Sequence, residues 1–359
     1  MLKFLLYPFA VLYGMIMWLR NRLYDSGFYS SIQFSVPVIC VGNLSTGGTG
    51  KTPHIEYLVR LLQYEYNLGT QSRGYKRRSR GFKLANETST AFDLGDEPMQ
   101  FHLKFPELAV SVCEERMTGI PSLLAVRPEV DVVLLDDAFQ HRSVKAGLNI
   151  LITDYAQPFY EDYILPFGNL REQRNAYKRA DVIIVSKCPA DLGREAQEQI
   201  IGHIKPIAGQ SVYFTKIQYG KCYNFFTGHE VNLHKDQHIV LVSGIAKPEP
   251  MLQHIEAQVA AVHLLKYPDH HYFTAANLDE ILETCKNWKD KQPVIITTEK
   301  DATRLTLKRE LLQDWGIEIW VLPIEIAFLN GSEDFDGRVR KYLSSMREID
   351  AVEGFEEIL

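Results

Sequence analysis

The sequence predicts an α/β protein: a doubly wound parallel sheet, a second and smaller α/β domain joined to it by extended strands, and an N-terminal hydrophobic helix. Short β-branched runs alternate with helical spacing from about Val38 to Thr215, the pattern of a parallel sheet flanked by helices. That rhythm breaks over 216–238, where Tyr219-Gly220 and Thr227-Gly228 give turn signals among tyrosines and phenylalanines. It resumes from His238 without a second glycine-rich loop. The expected divisions are an N-terminal helix over 1–26, a first domain over 27–215, a two-strand linker over 216–238, a second α/β domain over 239–330, and a C-terminal helix and tail over 331–359.

Composition sets outer limits. A chain of 359 residues exceeds one typical core. Its 46% hydrophobic and 23% charged residues are those of a globular protein. A formal net charge of -6 argues against general nucleic-acid binding. The five cysteines, Cys40, Cys113, Cys188, Cys222 and Cys285, include no C-x-x-C pair. They read as small buried residues of a reducing compartment, with neither a zinc site nor a disulfide framework indicated.

Phe4 to Leu19 contains no charge, with Lys3 before it and Arg20 and Arg22 after it. The run is shorter than the roughly 20 apolar residues that span a bilayer, and it lacks the small-residue cleavage site of a signal peptide. Tyr7, Tyr13 and Trp18 beside basic residues suit a helix lying on a membrane or dipping into one leaflet. The alternative is a helix packed on the protein's own core.

The first domain is organised around one stretch. Val38 to Val41 reads as a buried parallel strand, and Ile55, Leu58, Val59 and Leu62 have helical spacing. Between them lies Ser45-Thr46-Gly47-Gly48-Thr49-Gly50-Lys51-Thr52, the candidate nucleotide-binding loop. A helix N-terminus offers unpaired N–H groups and partial positive charge, and the glycines let backbone close on phosphate oxygens. Lys51 reaches the β/γ-phosphates, Thr52 offers its hydroxyl to Mg²⁺, and Pro53 fits the first helical turn. Ser45 stands where the strict Walker pattern has glycine. The sheet is therefore of the P-loop NTPase type, with ATP and Mg²⁺ as its expected cofactors.

Further motifs follow in order. Leu68 to Ser72 reads as a strand, and 73–83 then holds six cations without an acid, either a solvated loop or a contact for anionic groups. Asp96-Glu97 opens a periodic segment through Met99 and Leu103, with Asp96 either an N-cap or, with Glu97, a metal- or proton-handling group. Val110–Cys113 and Asp131–Leu135 are strands around a helix near 117–125. The second strand delivers Asp136-Asp137, where a P-loop enzyme holds its metal. A strand over 148–153 precedes a loop in which Arg171 opens a helix over 171–180, either a phosphate clamp or a surface arginine. The strand ending at Ser186-Lys187 closes the series, in a step of the sort that can hold a nucleotide base. In the second domain, Asp269-His270-His271 is either a proton-handling group or structural.

Gly42 to Pro53, Ser72-Arg73-Gly74-Tyr75, Gly95-Asp96-Glu97-Pro98, Asp136 to His141, Leu165 to Glu172, Asp269-His270 and Thr298-Glu299-Lys300-Asp301-Ala302 together resemble the tetraacyldisaccharide 4′-kinase family of lipid A biosynthesis, in that family's order and over nearly the full length. Ala138 departs from the family's Asp-Asp-Gly-Phe-Gln, and Gln173 from its Arg-Glu-Pro. The resemblance implies transfer of the ATP γ-phosphoryl group to the 4′-hydroxyl of a tetraacyldisaccharide 1-phosphate, at the cytoplasmic face of the bacterial inner membrane. It implies Lys51 on the phosphates; Thr52, Asp136, Asp137 and Glu97 on Mg²⁺; Asp96 as base paired with His270 across the two domains; and Arg73 and Arg171 as anion contacts. No nucleic acid and no obligate protein partner is indicated. The competing reading is a membrane-associated P-loop nucleotide switch acting on a protein partner, which gives no reason for Asp96-Glu97 or Asp269-His270.

Overall fold

A computed structural model describes residues 5–356. Lys3 and Phe4 of the apolar N-terminal run and 357–359 of the tail lie outside the described residues. In chain order the elements are α1 (Tyr7–Asp25), β1 (Val38–Gly42), α2 (Lys51–Leu62), β2 (Leu68–Ser72), β3 (Lys83–Leu84), α3 (Ala91–Leu94), α4 (Asp96–Lys104), β4 (Ala109–Val112), α5 (Arg116–Val126), β5 (Val132–Asp136), β6 (Leu148–Asp154), β7 (Val182–Ser186), α6 (Arg194–Ile204) and β8 (Ser211–Tyr219). They continue with β9 (Tyr223–Asn224), β10 (His238–Ser243), α7 (Glu249–Glu256), β11 (Ala261–Lys266), α8 (Ala275–Asn287), β12 (Val294–Thr298), α9 (Glu299–Leu305), α10 (Arg309–Gln313), β13 (Ile319–Leu322), β14 (Ile324–Phe328) and α11 (Ser332–Glu356).

One sheet has nine strands in the order β14-β8-β7-β6-β1-β5-β2-β4-β3, the other five in the order β11-β10-β12-β13-β9. The larger sheet is parallel from β8 to β4, with β14 and β3 antiparallel at its edges. Alternate residues of β1 serve opposite faces, as the period of two requires. Val38 and Cys40 pack with Ile120 and Leu123 of α5 and Ile204 of α6. Ile39 and Val41 pack with α2, with Phe101 of α4, and with Val339 and Leu343 of α11. The sheet is thus doubly wound, and β1 with its following loop sits between β5 and β6, at the carboxyl ends where such sheets bind ligands.

The structure alters several details. Residues 171–180 do not form one helix; only a 3-10 turn over Arg174–Arg179 appears. The reason is that Leu170 bridges to Ser45 and the Arg171 N–H bonds Leu44 O at 2.7 Å, so this backbone is already committed to the glycine loop. Residues 216–219, expected in the connector, continue β8, whose second half (215–219) pairs with β14, a strand the sequence pattern did not mark. The C-terminal helix continues through the acidic stretch to Glu356 and returns to the first sheet, where Tyr342 OH accepts from the Val38 N–H at 3.1 Å.

α1 bonds the larger sheet by one side only. Tyr13 OH donates to Arg171 O (2.9 Å), Arg20 to Gln140 O (2.7 Å) and Asn21 to Glu172 (2.7 Å). Ala10 and Gly14 are its buried residues, while Phe9, Leu12, Met15, Ile16, Trp18 and Leu19 are exposed. Among the described residues no helix is long and apolar enough to cross a membrane.

The two sheets are tied by a buried ionic cluster. Lys104 of α4 reaches Glu56 of α2 at 2.7 Å and Glu299 of α9 at 2.6 Å, and Gln100 donates to Glu56 at 2.7 Å. Burial, then the neighbouring Glu56, pushes the Glu299 carboxyl up to about 7 despite Lys104. A carboxyl raised on folding adds stability below its unfolded value, and that stability is lost as pH rises through the folded value. Between pH 5 and 8, Glu299→Gln should therefore gain stability relative to wild type, on the order of 1 kcal/mol. Urea unfolding at both pH values checks this, and parallel pH dependence in the two proteins would refute it.

Candidate active site

Lys51 is the first residue of α2, and Gly50 before it has φ +88°, a left-handed conformation that favours glycine. Thr52 is buried beside it. The loop is braced from outside by 165–172, since the Thr46 N–H donates to Asn169 O at 2.8 Å in addition to the bonds at Leu44 and Ser45. Thr46, Gly47 and Gly48 remain exposed at the rim, whereas Thr49 is buried with its hydroxyl accepting from Asn43 Nδ2 at 2.9 Å.

Asp136 ends β5 and Asp137 follows it, beside this loop but in different surroundings. Asp136 is buried, and its Oδ1 has no hydrogen-bond partner. Burial, and then the charges of Glu97 and Asp137, push its carboxyl up to about 7 against Lys51 and Arg116. Asp137 instead lies 3.5 Å from Lys51 Nζ and accepts from Arg171 at 2.9 and 3.0 Å. Burial opposes its ionisation, yet Lys51 and Arg171 hold it below the usual range. The turn takes its left-handed residue at Asp137, with φ +49°. Ala138 is not in that conformation, so alanine there costs the turn nothing.

Asp96 is the first residue of α4, and Gly95 rather than Asp96 is its N-cap. Gly95 has φ +90°, and a Cβ there would come within 2.9 Å of Tyr75 O, so only glycine lets the two segments pack this closely. The Asp96 side chain is thereby free of capping. His270 Nδ1 donates to Asp96 Oδ2 at 2.7 Å, and Arg304 NH2 donates to the same oxygen at 2.7 Å. Burial would raise this carboxyl, but hydrogen bonds from His270 and Arg304, with their charges, bring it down to about 2. Its other oxygen, Oδ1, is buried without a partner. Tyr75, Glu97, Pro98 and His270 line a small cavity with it.

His270 has φ +60°, a strained conformation for a residue with a side chain. Its N–H donates to Gly244 O at 3.2 Å. Arg304 is fully buried and also donates to Asp301 (2.8 Å), which accepts from the Gly244 N–H and the Thr298 hydroxyl. Glu97 accepts from Lys300 of α9 at 2.7 Å.

Lys51, Thr52, Asp136 and Asp137 thus meet at the glycine loop, and Asp96 meets His270 across the two sheets. Arg171 lies against Asp137 and, at 3.4 Å, Gln140. Arg73 is exposed; with burial and the Arg116 charge, its charge helps hold the His141 imidazole down at about 4. Glu97 faces Lys300, and among the described residues no three His, Cys, Asp or Glu side chains converge to cage a metal. Sequence reasoning missed Arg304 and gave Lys300 no role. The i,i+3 spacing of Asp301 and Arg304 was the available signal, and it is common on exposed helices.

The sequence profile of the tetraacyldisaccharide-1-P 4′-kinases matches residues 2–344. The chain belongs to this family. It is 48% identical to the tetraacyldisaccharide 4′-kinase of Flavobacterium psychrophilum over 345 residues, covering 95% of this chain and 96% of that protein. It is 44% identical to the tetraacyldisaccharide 4′-kinase of Bacteroides thetaiotaomicron over 92% of this chain and 90% of that one. A crystal structure of LpxK from Aquifex aeolicus in complex with ATP superposes with a TM-score of 0.74 at 28% identity, covering 96% of this chain and all (100%) of that one. Kinship over this length covers both sheets and the segments that carry Asp96 and His270.

Proposed function

We propose that the two sheets cooperate in one phosphoryl transfer, from ATP held on the 45–52 loop to a sugar hydroxyl held at Asp96 and His270. The chain is an ATP-dependent tetraacyldisaccharide 4′-kinase, a phosphotransferase of lipid A biosynthesis. Its acceptor in this reading is the 4′-hydroxyl of tetraacyldisaccharide 1-phosphate. The observation that carries the mechanism is the Asp96–His270 hydrogen bond of 2.7 Å beside the glycine loop.

Asp96 Oδ1, buried and unpartnered, is the oxygen that accepts the acceptor hydroxyl's hydrogen bond and then its proton. A carboxyl near 2 is a weak base at neutral pH. In a loose phosphoryl transition state, however, the nucleophile is deprotonated late, so orienting the hydroxyl matters more than basicity. His270 and Arg304 fix the carboxylate through Oδ2. Lys51 would exchange Asp137 for the β/γ-phosphates, and Arg171, released with it, would face anionic oxygen. Arg73 at the rim is the second anion contact.

The donor set fits Mg²⁺ at one place. Asp136 Oδ1 is a buried acceptor with nothing to accept from, at the end of the strand beside the Thr52 loop, and burial with the Glu97 and Asp137 charges raises its carboxyl. Mg²⁺ needs only one or two protein ligands beside phosphates and water. Thr52 and Asp136 would hold it; Asp137 and Glu97 would join only by releasing Lys51, Arg171 and Lys300. When bound, the ion neutralises charge on the transferring phosphoryl group.

An acceptor with four acyl chains stays in a bilayer, so the enzyme must reach it there. The exposed apolar side of α1, with Phe9, Leu12, Met15, Trp18 and Leu19, supports attachment at the cytoplasmic face of the inner membrane by a helix lying in the interface.

Asp96→Asn and His270→Ala should each lower kcat by about 10²–10⁴-fold, the range of general-base loss, with KM for ATP changed little. Lys51→Ala should impair both. Label transfer from γ-labelled ATP to the lipid reads this, and full turnover in Asp96→Asn excludes the base assignment. Replacing Phe9, Leu12 and Trp18 with serine should abolish co-sedimentation with anionic vesicles. Undiminished vesicle binding would remove α1 as the anchor.

A further inference from the structure

The glycine loop is held by a set of donors that the phosphate-binding reading does not use. Three successive carbonyls are each taken by a side chain. Gly48 O accepts from Lys187 Nζ, Thr49 O from the Ser186 hydroxyl at 2.6 Å, and Gly50 O from His54 Nδ1 at 2.7 Å. These donors are themselves fixed by the end of β6 and the middle of β8. Lys187 pairs with Asp154 at 2.9 Å, and His54 Nε2 lies 3.1 Å from the Thr215 hydroxyl. Ser186 and Thr215 are fully buried and His54 nearly so.

Chemistry fixes the tautomer of His54. A carbonyl only accepts, so Nδ1 carries the proton, and with Nε2 bare that nitrogen accepts from the Thr215 hydroxyl. That requires a neutral ring, and burial holds His54 down at about 4 against the Gly50 bond. Lys187 has φ +58°, a strained conformation that persists where surrounding structure over-determines it.

A trans peptide is planar, so each C=O points opposite to the following N–H. Pulling the carbonyls of residues 48, 49 and 50 toward β7 and α2 turns the N–H groups of Thr49, Gly50 and Lys51 the other way. The Thr49 N–H is returned to Gly47 O at 3.1 Å; those of Gly50 and Lys51 stand at the start of α2, where partial positive charge accumulates.

We propose that Ser186, Lys187 and His54 are positioning residues for the nucleotide: they grip the loop by its carbonyls and so preset its N–H groups for the phosphates. This rests on the reading that the 45–52 loop holds the phosphates of ATP. The cluster contacts the loop and not the transferring group, so its effect falls on nucleotide affinity and leaves the acceptor side alone.

The test is ATP affinity by calorimetry, with KM for the lipid acceptor measured in parallel, on Ser186→Ala, Lys187→Met and Lys187→Arg, with Lys51→Ala as control. Ser186→Ala and Lys187→Met should each weaken ATP binding roughly tenfold, about the worth of one net hydrogen bond. Acceptor KM should stay within twofold of wild type, and Lys187→Arg, which keeps a donor, should recover most of the affinity. Should Ser186→Ala fail to fold, the more exposed Lys187 pair decides alone. Wild-type ATP affinity in Lys187→Met, with affinity lost in Lys51→Ala, overturns the positioning role. Wild-type affinity in Lys51→Ala overturns the phosphate-loop reading on which it rests.

Discussion

One buried carboxylate organises the molecule. Asp96 opens α4 of the larger sheet's body, yet both partners of its Oδ2 come from the segments around the smaller sheet, His270 after β11 and Arg304 on α9. A charge this deeply buried is tolerated only when paired. The two sheets are therefore held in register by the same bonds that orient the carboxylate proposed as the base. Arg304 extends the constraint, because its other nitrogen bonds Asp301, which in turn holds the Gly244 N–H beside the strained His270 backbone. His270 is fixed from both sides before any substrate arrives.

A second ionic cluster lies just over two helical turns along α4, where Lys104 joins Glu56 and Glu299. Together these contacts make α4 the spine between the sheets, with Asp96 at one end and Lys104 at the other. β8 and β14 add a covalent route, since the chain leaves the larger sheet by one and returns by the other as an antiparallel pair. The glycine loop, by contrast, is referenced to its own sheet: to β7 and β8 through Ser186, Lys187 and Thr215, and to 169–171 through backbone bonds. The loop proposed for the nucleotide and the pair proposed for the acceptor thus rest on different supports, and Lys51 and Arg171 meet at Asp137 in a seam beside that loop. The Tyr13–Arg171 and Arg20–Gln140 bonds bring α1 to that same seam, so the helix that carries the exposed apolar side also touches the residues around Asp137.

Local patterns were the legible part. Leu68–Ser72 and Val294–Thr298 have the bounds expected of them, and the apolar start of the latter fits a parallel strand buried on both faces. The Lys51 helix was readable from the helical spacing of its apolar residues, and the Asp136 strand end from the apolar run before it. What escaped depends on distant partners. Arg304 reads as an exposed helical arginine, and its burial follows from pairing with a carboxylate 208 positions away. The helix expected at Arg171 gave way because its backbone bonds the glycine loop instead, and β14 is defined by pairing with β8 rather than by its own five residues. The metal set that the family resemblance implies is Thr52, Glu97, Asp136 and Asp137. The placement of Lys51, Arg171 and Lys300 divides it, leaving Asp136 as the acid with an unfilled oxygen.

The central claim is that Asp96 and His270 act as one unit across the two sheets. A double-mutant cycle on kcat/KM for the lipid acceptor, using Asp96→Asn, His270→Ala and the pair, measures this directly. If the two side chains form one device, the double variant is no more impaired than the worse single variant. Losses that multiply, each substitution costing the same factor whether or not the other is present, would show two independent groups and contradict the account.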